Sequence, residues 1–91
     1  MIKEKPTDLL AAFKERMRIF HDEDDNLNRI LENSKAALTE RFNFPVETVP
    51  TGIELILERS RFVYNDKLEL FEIAFAPELN RFAVSHTLEE V

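Results

Sequence analysis

The chain has 91 residues, 44% of them hydrophobic, with four prolines, one glycine and no cysteine; this suits one small domain and excludes a disulfide framework, a thiolate metal site and a cysteine nucleophile. The net charge of −6 is uneven, +2 over residues 1–20 and −8 over the remainder, and an acidic body is a poor binder of a phosphate backbone, whose affinity comes from cationic contacts. No apolar stretch approaches the roughly 18 residues of a membrane span, and the start, MIKEKPTDLL, has charge with no apolar run behind it, so neither a membrane segment nor a signal peptide is expected.

One glycine leaves few residues suited to the positive-φ turns of tight hairpins, which favours a mainly α domain over residues 1–91. Residues 1–6 are expected to form an N-terminal tail. Behind Pro6, Leu9, Leu10, Phe13, Met17 and Phe20 recur at helical spacing, predicting a first helix over 7–20 with Thr7 as its N-cap. Leu27, Ile30, Leu31, Ser34, Leu38 and Phe42 then follow the i, i+3, i+4, i+7 rule and predict a second helix over 22–43. The loop NFPVETVP ends it, because its two prolines prevent continuation.

A third helix is expected over 51–76. Thr51 would cap it, with Glu54 reaching back in a capping box. Ile53, Leu57, Ser60, Tyr64, Leu68, Phe71 and Phe75 keep one stripe in phase through Asn65-Asp66, which favours one long helix; both residues also suit a break there. Leu55, Phe62 and Ile73 fall nearly opposite that stripe, as expected of a contact with a second subunit, of central burial or of harmless exposure. Over residues 78–91 the pattern changes. Phe82, Val84, His86 and Leu88 alternate with Arg81, Ala83, Ser85 and Thr87, the period of a strand that must pair with another segment or chain, or else of a tail.

The run His21, Asp22, Glu23, Asp24 and Asp25 looks most like chemistry. Consecutive carboxylates on a helix splay in different directions, and no glycine shapes a loop to gather them on one ion. His21-Asp22 resembles the lead pair of the HD metal-dependent phosphohydrolases, but only His86 remains as a further imidazole. Helix capping by Asp22 or Asp24, with the other carboxylates facing the positive end of the helix dipole, accounts for the run. There is no P-loop, no glycine-rich dinucleotide turn, no G-x-S-x-G and no H-E-x-x-H. No catalytic residue, cofactor or metal is therefore expected.

Taken together, the acidic HDEDDNL lead-in with Asp24, Asp25 and Leu27, and the later segment LERSRFVYNDKLELFEIAF, resemble the head–tail connector family of tailed bacteriophages, in the form found in phages and prophages of Gram-positive bacteria. In that segment the carrying residues are Leu57, Glu58, Arg59, Arg61, Tyr64, Asn65, Asp66, Leu68, Glu69, Phe71 and Phe75. The resemblance implies a small helical structural subunit that forms a ring with itself, of twelve copies in the virion. It implies a place between the portal protein and the tail or head-closure protein, at the virion neck after assembly in the host cytoplasm. DNA would pass through without being read, and no membrane would be involved. The rival expectations are a small cytosolic protein-binding module of the antitoxin or regulator type, a helix-turn-helix DNA reader, and a phosphohydrolase built around His21-Asp22.

Overall fold

In the computed structural model, which describes residues 8–87, the first helix, α1 (Leu9–Met17), begins at Asp8, whose carboxylate accepts the Ala11 N–H at 3.2 Å. It ends at Arg18, in the left-handed region at φ 59°, where the N–H groups of Arg18 and Ile19 close on the carbonyls of Glu15 and Lys14. The following helix, α2 (Asp24–Phe42), buries the whole predicted stripe, from Leu27 to Phe42. Asn43 ends it, again left-handed at φ 60°. A single 3₁₀ turn (Val46–Thr48) leads to α3 (Pro50–Tyr64), with Pro50 in the first turn, where its missing N–H costs nothing. Two shorter helices follow, α4 (Leu68–Ala74) and α5 (Ala76–Thr87).

The central element is α3, which packs against α1, α2, the 3₁₀ turn and α4. Leu55, Ile56 and Leu57 are all buried in succession, so more than one side of this helix is covered. Gly52 lies where α3 crosses the 3₁₀ turn; a Cβ there would run into the Val46 carbonyl. Ser34 on α2 and Ser60 on α3 are fully buried, and Arg59 reaches from α3 to donate to Ser34 Oγ at 3.1 Å. Burial pushes the Arg59 guanidinium below its ordinary value, with the Glu72 carboxylate opposing. The core is completed by Phe13, Phe71, Leu79 and Phe82, and burying each large apolar side chain contributes about 1.5–3 kcal/mol.

Three sequence expectations are corrected here. The predicted long helix over 51–76 is broken at Asn65-Asp66. Asp66 takes φ 60°, and the N–H groups of Asp66 and Lys67 turn back to the carbonyls of Val63 and Phe62 at 3.0 and 2.8 Å. This closure satisfies the end of α3 and starts α4 in a new direction. The chain breaks again at Phe75, because Pro77 has no N–H with which to continue α4.

The predicted strand over residues 78–91 is helical as far as the description extends. Phe82, Val84 and His86 all lie on α5, and Leu88 falls outside the described residues. Leu79, Phe82, Ala83 and His86 also fit helical spacing, and this face packs inward, leaving Val84 58% exposed. Backbone bonds within the segment satisfy the groups a lone strand would leave open.

The capping assignments also move. Thr7 lies outside the described residues, and the α1 cap is Asp8. Val49, extended at φ −127°, precedes α3, so Thr51 sits inside the first turn and Glu54 is free to reach another helix.

Candidate functional site

The acidic run forms a polar knot at the start of α2. Glu23 is its hub: it accepts from the Tyr64 hydroxyl at 2.7 Å and from the Asn26 amide at 3.1 Å, and its Oε2 lies 2.7 Å from His21 Nε2. These hydrogen bonds, that of Tyr64 foremost, hold the Glu23 carboxyl below the usual carboxylate range, and the same contact pushes the Tyr64 phenol up. Asp24, the first residue of α2, binds Lys14 Nζ at 2.8 Å, which raises the lysine. Asp22 accepts the Asp24 N–H at 3.3 Å, while Asp24 and Asp25 occupy the first turn. Thus Asp22 contributes a local cap contact, whereas Asp24 ties α2 to α1 and Glu23 ties it to α3. Among the described residues no three His, Cys, Asp or Glu side chains converge as a metal site.

A different surface offers binding space. A groove of about 390 Å³ runs between α3 and α5, lined by Thr51, Glu54, Leu55 and Glu58 on one side and by Glu78, Arg81, Phe82, Ser85 and His86 on the other, with Phe75 at the helix junction. Its base is apolar, provided by Leu55, Phe75 and Phe82, and its edges carry charge. The imidazole of His86 is fixed against the rings of Phe44 and Phe82, at centroid distances of 5.0 and 4.4 Å. On the α3 edge, Arg16 from α1 forks between Glu58 at 2.6 Å and Glu54 at 3.0 Å. Burial works against the charge of Arg16, but the two carboxylates outweigh it and hold the guanidinium above its ordinary value. On the α5 edge, Glu78 and Arg81 make no ion pair among the described residues.

The three residues predicted to form one subunit contact do not share a face. Leu55 is 5% exposed and belongs to the core at the base of the groove. Phe62 is half-buried, edge-on to Phe71 and Phe75 at 5.8 and 5.9 Å, with the Arg61 guanidinium 5.0 Å from its ring centre. Only Ile73 stands in solvent, 75% exposed, and it lies on α4 rather than α3. The break at Asp66 removed the continuous helix on which the three would have aligned. Phe20, expected in the apolar stripe of the first helix, is 86% exposed beyond its end.

Sequence reasoning missed the groove because reading 78–91 as a strand placed Glu78 and Arg81 on no common face. The spacing Leu79, Phe82, Ala83, His86 was the available signal for α5. No protein-family model, curated protein or solved structure matches this chain.

Proposed function

We propose that this protein is a structural adaptor of the tailed-phage head–tail connector type, forming a ring between the portal and the tail or head-closure protein, with no catalytic step. The observation that carries the reading is the presence of two unlike surfaces on one small acidic chain. One is the apolar-based groove between α3 and α5; the other consists of large apolar side chains in solvent, Phe20 and Ile73. A head-to-tail contact joins unlike surfaces, and it closes into a ring when the rotation between copies permits. The residues that carry the family resemblance support the same reading by a different route. Tyr64, Asn65 and Asp66 set the corner between α3 and α4, and Asp24 ties the start of α2 to α1.

Light scattering and negative-stain imaging, with and without a cognate portal protein, test the proposal. Rings seated on the portal are expected. A stable dimer without affinity for the portal would instead identify a binding module of the antitoxin or regulator type, which the groove also suits. Ile73→Asp is expected to weaken ring formation and leave helicity unchanged. Wild-type rings from this variant would remove Ile73 from the contact.

A further inference from the structure

We propose that Phe20 of one copy of this chain seats in the groove between α3 and α5 of the next, with Arg18 against Glu78 and Asp22 against Arg81. The proposal rests on the ring-forming reading above and names the contact that would link successive copies.

Position is the first support. Phe20 is 86% exposed, more than any other large apolar side chain among the described residues. The chain is held on either side of it: Ile19 is buried in the core, and His21 Nε2 lies 2.7 Å from Glu23, which also accepts from Tyr64. The ring therefore stands outward on a fixed turn, and its own groove is lined without it. A knob already held in place loses little further freedom when it is received by a partner.

Size and chemistry are the second. A cavity of about 150 Å³ holds one benzene ring, so a groove of about 390 Å³ admits the Phe20 ring together with a flanking side chain. Three of the groove's side chains, Phe75, Phe82 and His86, are themselves rings, and rings that meet offset or edge-on attract beyond the area they bury. Among the exposed large apolar side chains Phe20 alone is aromatic; Leu68, Leu70, Ile73 and Val84 are aliphatic.

Charge is the third. On the α3 edge Glu54 is held by Arg16, and Glu58 by Arg16 and Arg61 together, so that edge is neutralised. The open charges are Glu78 and Arg81, one turn apart on α5 and outside any ion pair among the described residues. Arg18 and Asp22, two residues before and after Phe20, are likewise exposed and without an ion pair among the described residues. Lys14 feels the field of Asp22 but bonds Asp24. A cation and an anion flanking an apolar ring thus face an anion and a cation beside an apolar base, and opposite patterns of this kind fix register as well as attraction. Ile73 has no such pair beside it, because its neighbour Glu72 is already bound to Arg41. Knob and groove are different surfaces, so the contact is heterologous and each copy both gives and receives.

The test is sedimentation of the full chain across a wide concentration range, with binding to a cognate portal protein measured in parallel. The wild type is expected to associate, and Phe20→Ala should weaken association about tenfold or more. Ser85→Trp, which fills the groove from its exposed edge, should do the same. An equimolar mixture of these two variants should stop at dimers, since the first keeps a native groove and the second a native Phe20. Asp22→Lys and Arg81→Glu should each weaken association by a smaller, salt-dependent factor, and combining them in one chain should restore it. All four positions are exposed, and circular dichroism checks that each variant folds. A wild type that stays monomeric throughout, a Phe20→Ala variant that associates like the wild type, or a mixture without dimers would overturn the proposal. Association lost in Ile73→Asp but kept in Phe20→Ala would overturn it in favour of Ile73 as the knob. Portal binding that survives such a result keeps the adaptor reading while the Phe20 contact falls. A wild type that associates through Phe20 yet ignores the portal keeps the contact and removes the adaptor reading.

Discussion

The two ends of α3 use charge in opposite ways. At the Tyr64 end, the phenol, His21 and Asn26 converge on Glu23, and Lys14 meets Asp24 beside them, so the polar groups find their partners within the chain. At the Thr51 end, the neighbouring α5 presents Glu78 and Arg81 without ion pairs among the described residues, above an apolar base. A dense cluster of titratable groups is therefore the poorer pointer to a partner here. Groups satisfied internally hold the fold, while charges left open beside apolar surface remain available for binding.

The strongest way to break this contrast is Phe71→Ala. Phe71 is buried among Phe62 and Phe75 and seats α4 on α3. A loss of about 3–5 kcal/mol in urea unfolding is expected, with hydrogen exchange rising first in α4 and α5 and the knot at Glu23 surviving longest. Uniform loss of protection would show that the two regions are one cooperative unit. Next comes Gly52→Ala, whose new methyl must displace the 3₁₀ turn at Val46. About 1–3 kcal/mol of destabilisation is expected from such overpacking. Chemical-shift changes should gather around Thr51 and Glu54, on the groove edge, and leave Tyr64 unmoved.

Tyr64→Phe tests the other end. Because the Glu23 carboxyl lies below its ordinary value, it contributes stability above the unfolded carboxylate pKa, about 4.3, and that contribution is lost as pH falls through the lower folded value. The raised Tyr64 phenol contributes below about 10, and its contribution is lost as pH rises through the higher folded value. The variant should return the Glu23 carboxyl toward the ordinary range in an NMR titration. It should also be less stable than wild type at neutral pH, with the gap narrowing in acid. An unchanged Glu23 titration would deny Tyr64 its place in the knot. The smallest effect is expected from Arg18→Gly, which relieves a left-handed residue without touching either region. A gain of up to about 1 kcal/mol is expected in thermal unfolding.

Periodicity made α2 legible in full, since its stripe from Leu27 to Phe42 has one helical reading and is buried as that reading requires. It misled at α5, where Phe82 and His86 satisfy a period of two and helical spacing alike, and only burial of Leu79 and exposure of Val84 separate the two. The break after Tyr64 was visible as Asn65-Asp66, but the apolar stripe ran through it in phase. Backbone closure at Asp66 outweighed that continuity. The single glycine pointed to a mainly α chain, and the described residues are mainly helical; the helix ends that take positive φ are filled by Arg18, Asn43 and Asp66, while Gly52 serves close packing. Of the candidate site, the acidic run was expected to cap α2 through Asp22 or Asp24; the N-cap position is instead Glu23, with Asp24 the first helical residue, and the tie from Glu23 to Tyr64 spans 41 residues, a separation no local pattern encodes.

Arg16 places one ion network between two distant parts of the chain. It projects from the helix that carries residues 1–7 and grips both carboxylates on the α3 edge of the groove. A cation arriving at Glu54 competes with Arg16, and one arriving at Glu58 competes with Arg16 and Arg61 together; whatever loosens the Arg16 grip also loosens α1 from α3. Occupancy of the groove and the seating of the amino-terminal helix are thereby thermodynamically linked, and linkage of this kind runs equally in both directions.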